Sequence, residues 1–119
     1  MKSSVGELNI QKVLQENNIV FEREKTFADF TYKDTKAYPR YDFYLPEYNR
    51  LVEYDGEQHF ELSAWKSDTE EKLKIRQERD SIKNNYALSH QISLVRIPYS
   101  ERNTITLDII LGDKYLVKK

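Results

Sequence analysis

The sequence predicts one α/β domain, a mixed central sheet flanked by helices, with elements in the order αβββαβα. Three observations predict it. The chain has 119 residues, which is room for one domain and not two. Segments with helical spacing of apolar residues are interleaved with short alternating runs of strand type, the pattern of a sheet covered by helices. Only 3 Gly and 3 Pro interrupt them, too few for a disordered or loop-dominated chain.

The first helix is expected from about Val5 to Asn17, because Ile10, Val13, Leu14 and Asn17 recur at helical spacing. Ser4 is a good N-cap and Asn17-Asn18 a stop. A β-type run begins at Ile19-Val20-Phe21. Thr31 to Pro39 is polar and reads as a loop or exposed turn. Arg40-Tyr41-Asp42-Phe43-Tyr44-Leu45 and Arg50-Leu51-Val52-Glu53-Tyr54-Asp55 read as two strands of a hairpin, joined by the turn Pro46-Glu47-Tyr48-Asn49 and ended by Gly56. A long helix follows from about Thr69 to Ser89, with Ile75, Arg79, Ile82 and Tyr86 as its stripe. Ile92 to Ile97 is a strand stopped by Pro98, and Thr104 to Leu111 a final helix.

Bulk properties narrow the function. The 9 Tyr, 5 Phe and 1 Trp help a short chain reach a stable core, since each aromatic buries a large area. The absence of cysteine excludes disulfides, thiolate zinc sites and cysteine nucleophiles. No apolar run has signal-peptide character or transmembrane length, so no membrane partner and a cytoplasmic location are expected. The formal net charge of -1 counts against passive coating of nucleic acid, which favours a basic excess. It counts less against a site that spends its acids on a metal ion.

Alternation along the strands puts Leu51, Glu53 and Asp55 on one face, and Asp42 with Tyr44 on one face of the neighbouring strand. Tyr41, Phe43 and Leu45 take the opposite face. A hairpin would then gather Asp42, Glu53 and Asp55. Any one acid on a strand is ordinarily a solvated outward residue. Three of them, followed at once by Gly56-Glu57-Gln58-His59, weigh against that. Gathered carboxylates repel without a counter-charge, and an oxygen-only cluster suits Mg²⁺, Mn²⁺ or Ca²⁺. Phosphodiester hydrolysis is a chemistry that needs such an ion.

Asp42-Phe43-Tyr44-Leu45-Pro46, followed by Val52-Glu53-Tyr54-Asp55-Gly56-Glu57-Gln58-His59, resembles the active-site hairpin of the PD-(D/E)XK nuclease superfamily. Within it, the similarity is to the branch of very-short-patch repair and phage homing endonucleases. It runs from Ser4-Val5-Gly6-Glu7 to Arg96-Ile97-Pro98-Tyr99. The resemblance implies a restriction-endonuclease-like αβββαβ core and a Mg²⁺-dependent DNA endonuclease, with Mn²⁺ as a substitute ion. It implies that Asp42 and Glu53 are the two metal-binding acids. The position two beyond Glu53 normally holds lysine, and here it is Asp55. Either Asp55 is a further metal ligand, or Lys83 or His59 has taken over the work near the water. The same fold without catalysis, as a DNA-binding or regulatory module, is the alternative, as is a protein-interaction domain whose acids are only surface. The Lys-, Asn- and Tyr-rich composition suits a phage or an AT-rich bacterium.

Glu7 matches the first-helix glutamate of that branch, and it also completes a capping box with Ser4. His59 corresponds to a histidine that helps activate water, with Asp80 behind it and Lys83 steadying the phosphate. For Asp80 and Lys83 the ordinary alternative is an i,i+3 ion pair on a solvated helix. Arg76, Asp80, Lys83 and Ala87 fall on one face beside the stripe. Arg96 suits either a phosphate contact or an internal ion pair. Trp65 suits a wedge against bases or simple packing. Lys33, Lys36, Arg40 and Lys66 are candidate phosphate clamps, and His90 is assigned no role. One domain carries one site, so a monomer would nick and a double-strand break would need a homodimer or two visits.

Overall fold

A computed structural model of the chain describes residues 4–56 and 67–118. Helix α1 (Val5–Glu16) starts where expected: the Ser4 hydroxyl accepts from the Glu7 amide at 3.2 Å, satisfying an otherwise unpaired donor of the first turn. Ile10 and Leu14 are fully buried beneath it. The helix stops because Asn17 donates its side-chain amide to the Val13 carbonyl at 2.8 Å and Asn18 turns left-handed at φ 55°, a conformation asparagine tolerates.

The expected strand start at Ile19 is corrected. The Ile19 amide donates to the Leu14 carbonyl at 2.9 Å and its side chain is buried, while Val20 is exposed. These residues finish the helix, and β1 (Glu22–Lys25) begins only after them. The hairpin is as read: β2 (Tyr41–Leu45) and β3 (Arg50–Asp55) pair antiparallel, Phe43 opposite Val52 and Leu45 opposite Arg50. The turn between them is fastened by Tyr44, whose hydroxyl donates to the Asn49 side chain at 2.8 Å, and Asn49 is left-handed. Helix α2 (Ser67–Ser89) then crosses over to β4 (Ser93–Pro98), which lies parallel to β3. A parallel neighbour requires such a crossover. The sheet order is β1-β2-β3-β4, an α/β fold with a mixed four-stranded sheet.

A 3-10 turn (Tyr99–Glu101) leads to α3 (Leu107–Leu111), shorter than expected because Thr106 caps it, accepting from the Ile109 amide at 3.2 Å. The tail then returns along the outer edge of β4. The Arg96 amide donates to the Tyr115 carbonyl at 3.1 Å and the Val117 amide to the Leu94 carbonyl at 2.8 Å. An edge that would otherwise offer unpaired backbone groups is thereby covered. Among the described residues no helix is long and apolar enough to cross a membrane.

Two clusters sandwich the sheet. Ile10, Leu14, Phe43, Leu45, Val52, Val95, Ile97 and Ile110 form the core under α1 and α3. Phe30, Tyr41, Leu51, Ala87 and Leu94 form a smaller one under α2. Tyr41 thus departs from the strand alternation that would seat it with Phe43 and Leu45. The expected stripe of α2 is also corrected. Ile75 and Ile82 are 51% and 42% exposed, whereas Lys83 and Ala87 are buried. The charged face read beside the stripe is the one turned to the sheet. The sheet offers Glu53, Asp55 and Arg96 there, and buried charges require charged or hydrogen-bonding partners. Of the stripe, Tyr86 joins the packing, stacked on Phe30 at 4.1 Å between ring centroids, and Arg79 lies 4.0 Å over the Tyr32 ring.

Gly6 sets how close α1 lies to the sheet. A Cβ there would stand 2.2 Å from the Tyr54 ring, so only glycine lets the start of the helix approach β3. That approach carries the next residue, Glu7, to the hairpin's acids.

Candidate active site

The β2–β3 ladder closes at Phe43 and Val52, and the next two residues outward are Asp42 and Glu53. Here side chains replace the ladder. Asp42 Oδ2 accepts the Tyr54 amide at 2.8 Å, and Glu53 Oε2 accepts the Asp42 amide at 2.8 Å. Each acid satisfies a backbone donor on the opposite strand, so the pair is positioned by main chain and not by flexible side chains.

Lys83 reaches this pair from α2. Its ammonium donates to Glu53 Oε1 and to the Arg40 carbonyl, the latter at 2.5 Å. Both charged side chains are about nine-tenths buried, at 10% and 8% exposed. The Tyr41 hydroxyl donates back to the Lys83 carbonyl at 2.8 Å, so α2 and the start of β2 are joined twice. Burial, and next the charge of Glu53, push the Tyr41 phenol well above its ordinary range.

Arg96 enters from β4, in register with Glu53. Its Nη1 is 3.1 Å from Asp55, 3.6 Å from Asp80 and 3.9 Å from Glu53, and its Nε donates to Asn84 at 2.7 Å. Of its two sequence readings, the internal ion pair is the one the structure has. Asp55 and Asp80 are therefore both held by Arg96.

Glu7 sits at the same end of the sheet. Its carboxylate does not fold back to the Ser4 amide as a complete capping box would. It accepts from the Ser4 hydroxyl at 3.4 Å and pairs with Arg23 at 2.7 Å. Arg23 also donates to Gln11 at 2.8 Å and to the Asp42 carbonyl at 3.2 Å, its guanidinium lying 4.5 Å above the Phe43 ring. Sequence reasoning passed over Arg23. The one signal in the sequence was the alternation of acid and base in Glu22-Arg23-Glu24-Lys25, and its meaning depends on a partner on another element.

Glu7, Asp42, Glu53, Asp55 and Asp80 thus gather around Arg23, Lys83 and Arg96, more acids than cations. The imbalance falls on Asp42, which among the described residues has no cation in ion-pair contact. Burial and then the charge of Glu53 push its carboxyl up to about 8; the Tyr54 amide opposes this, Glu7 adds to it and Lys83 opposes it.

The remaining candidates divide. His59, Trp65 and Lys66 lie outside the described residues. Lys33, Lys36 and Arg40 are exposed on the loop before β2. His90 stacks on Tyr86 at 3.9 Å and lies 3.7 Å from Asp29, away from the acids.

Among the described residues, no three acids or histidines stand close enough together to hold a metal ion. The expected third ligand, Asp55, is turned to Arg96. Asp42 and Glu53 are joined through the Asp42 amide, and two carboxylates with water and substrate oxygens are a usual Mg²⁺ donor set. A comparison of the chain with protein-family models, with curated proteins and with solved structures gives no match.

Proposed function

We propose that the chain is a metal-dependent DNA endonuclease of the restriction-endonuclease-like type, with its site at the open end of the β2–β3 hairpin. One observation carries this reading: Asp42 and Glu53 stand where the ladder ends, Glu53 accepting the Asp42 amide and Asp42 the Tyr54 amide, with Lys83 on Glu53. Asp42 and Glu53 would hold Mg²⁺ or Mn²⁺, which supplies an activated water and neutralises phosphate charge. Lys83, reaching Glu53 from α2, would take over the work of the lysine that β3 lacks. It orients Glu53 and offers its remaining proton to a phosphate oxygen. Arg96 withdraws Asp55 and Asp80 from the phosphate's path by pairing with them. Glu7 and Arg23 brace the Asp42 backbone from the α1 side.

Cleavage of supercoiled plasmid in Mg²⁺, Mn²⁺ or EDTA tests the reading. Metal-dependent nicking is expected, lost in folded Asp42→Ala and Glu53→Ala proteins. An active, folded Asp42→Ala protein would defeat it. A second reading, a non-catalytic DNA-binding module, is favoured by one feature: Asp55 occupies the lysine position and is tied to Arg96. It predicts DNA binding that is indifferent to metal, and no cleavage by the folded wild type under any ion.

A further inference from the structure

Beside the acids, the segment from Tyr38 to Tyr41 alternates in burial. Pro39 and Tyr41 are fully buried, while Tyr38 is 54% exposed and the Arg40 side chain 65% exposed. The backbone between them is pinned. The Ala37 carbonyl accepts from the Tyr32 amide at 2.9 Å, Pro39 is packed into the protein, and the Arg40 carbonyl accepts from Lys83. A rigid stretch of chain therefore holds an aromatic ring and a guanidinium in solvent, next to the acid pair. Among the described residues, no hydrogen bond, ion pair or ring contact uses the Tyr38 ring. Among the described residues, the Arg40 side chain has only a surface pair with Glu24, at 3.2 Å and with both side chains mostly exposed, a bond of small net value that a phosphate can replace.

We propose that Tyr38 and Arg40 form a nucleotide-binding edge, Tyr38 stacking on an unpaired base and Arg40 taking an adjacent phosphate, so that the substrate is DNA with unpaired bases and not intact duplex. The proposal rests on the nuclease reading above and names its substrate class; a supercoiled plasmid offers such bases where torsional stress opens the duplex, and a relaxed duplex does not. The charge distribution favours it. Duplex binders draw affinity from many phosphate contacts, but this chain carries a net charge of -1. Three cations at the site, Arg23, Lys83 and Arg96, already serve carboxylates. Stacking supplies affinity without a broad basic surface, and any base provides a face for it. The other exposed tyrosine of the hairpin region, Tyr48, is in the turn at the far end from the acids. Tyr38 lies four residues before Asp42, a reach of at most about 14 Å. At about 3.4 Å per stacked nucleotide, its base falls within roughly four nucleotides of a phosphate at the acids.

The test uses the full chain and a 2-aminopurine-labelled oligonucleotide, single-stranded and as duplex, in EDTA so that binding is read without cleavage. The wild type is expected to bind the single strand at least about ten-fold more tightly than the duplex and to quench the probe. Tyr38→Ala loses the quenching and about ten-fold in affinity, Tyr38→Trp keeps both, and Arg40→Gln weakens binding and flattens its salt dependence by about one ion. Equal binding and quenching by Tyr38→Ala, tighter binding of the duplex, or no binding of either strand would overturn the proposal. Adding Mg²⁺ or Mn²⁺ separates the two readings. Tyr38-dependent stacking without cleavage upholds this edge and refutes the nuclease, whereas cleavage with Tyr38→Ala unchanged does the reverse.

Discussion

The two faces of the sheet are made of different materials. Under α1 and α3, the sheet meets an apolar core in which Phe43, Leu45, Val52, Val95 and Ile97 interlock with Ile10, Leu14 and Ile110. Under α2, the apolar part shrinks to Phe30, Tyr41, Leu51, Ala87 and Leu94, and the rest of the contact is ionic, through Lys83, Glu53, Arg96, Asp55 and Asp80. Apolar burial stabilises by about 25 cal/mol per Å², whereas a buried ion pair roughly breaks even against its desolvation. The first face holds the protein together, and the second holds charges in place. A chain of this size has little stability to spare, and on this second face it nevertheless buries Glu53 and Lys83.

The sharpest way to break the comparison is to injure each face once. Phe43→Ala on the apolar face should cost about 3–5 kcal/mol in urea unfolding, the usual result of emptying a buried phenylalanine site. Glu53→Ala on the other face should cost nearly as much, about 3–5 kcal/mol, for a different reason: it leaves Lys83 and its charge buried without a partner. The difference shows in rescue. Replacing Lys83 as well, in Glu53→Leu with Lys83→Met, should restore most of the loss, while no second substitution of charge will restore Phe43→Ala. A double variant as unstable as Glu53→Ala would mean that the pair itself is a major source of stability.

Asp42 gives a smaller and pH-dependent effect in the metal-free protein. Its carboxyl is pushed up to about 8 in the folded state, above its value in the unfolded chain. The contribution to stability is therefore fully present below about pH 4 and is lost as pH rises through about 8. Asp42→Asn removes that loss. In EDTA, the variant should be more stable than wild type by a few kcal/mol at pH 8.5, with the gap closing toward pH 4. Parallel stability curves for the two proteins would show that Asp42 is not held in the deficit of positive charge described above. The smallest effect is expected at Ile82. Because it is exposed, Ile82→Ala should change stability by less than about 0.5 kcal/mol, in contrast to Phe43→Ala; a loss of several kcal/mol would restore the apolar stripe as a packed face.

Local signals made much of the fold legible. The cap at Ser4, the stop at Asn17-Asn18 and the four-residue turn at Pro46–Asn49 all depend on neighbours in sequence, and each is where its chemistry places it, while β4 runs one residue past the expected stop and includes Pro98. The stripe of α2 was misread because hydrophobic periodicity assumes an apolar surface opposite. What lies opposite α2 is partly charged, and the helix turned its Lys83 face inward to meet it. Ile19 was misread because its amide belongs to the preceding helix. Within the site, Asp42 and Glu53 were legible as neighbours from strand alternation and a short turn.

By itself, the sequence determined the αβββαβα order, the hairpin and the gathering of acids at one end of it, because these follow from spacing over a few residues. Only the tertiary structure decided which cation meets which acid: Lys83 on Glu53, Arg96 on Asp55 and Asp80, Arg23 on Glu7, with Asp42 in ion-pair contact with none of them. Those pairings join residues on different elements, and electrostatic energy depends on distance and burial in space, neither of which spacing along the chain encodes.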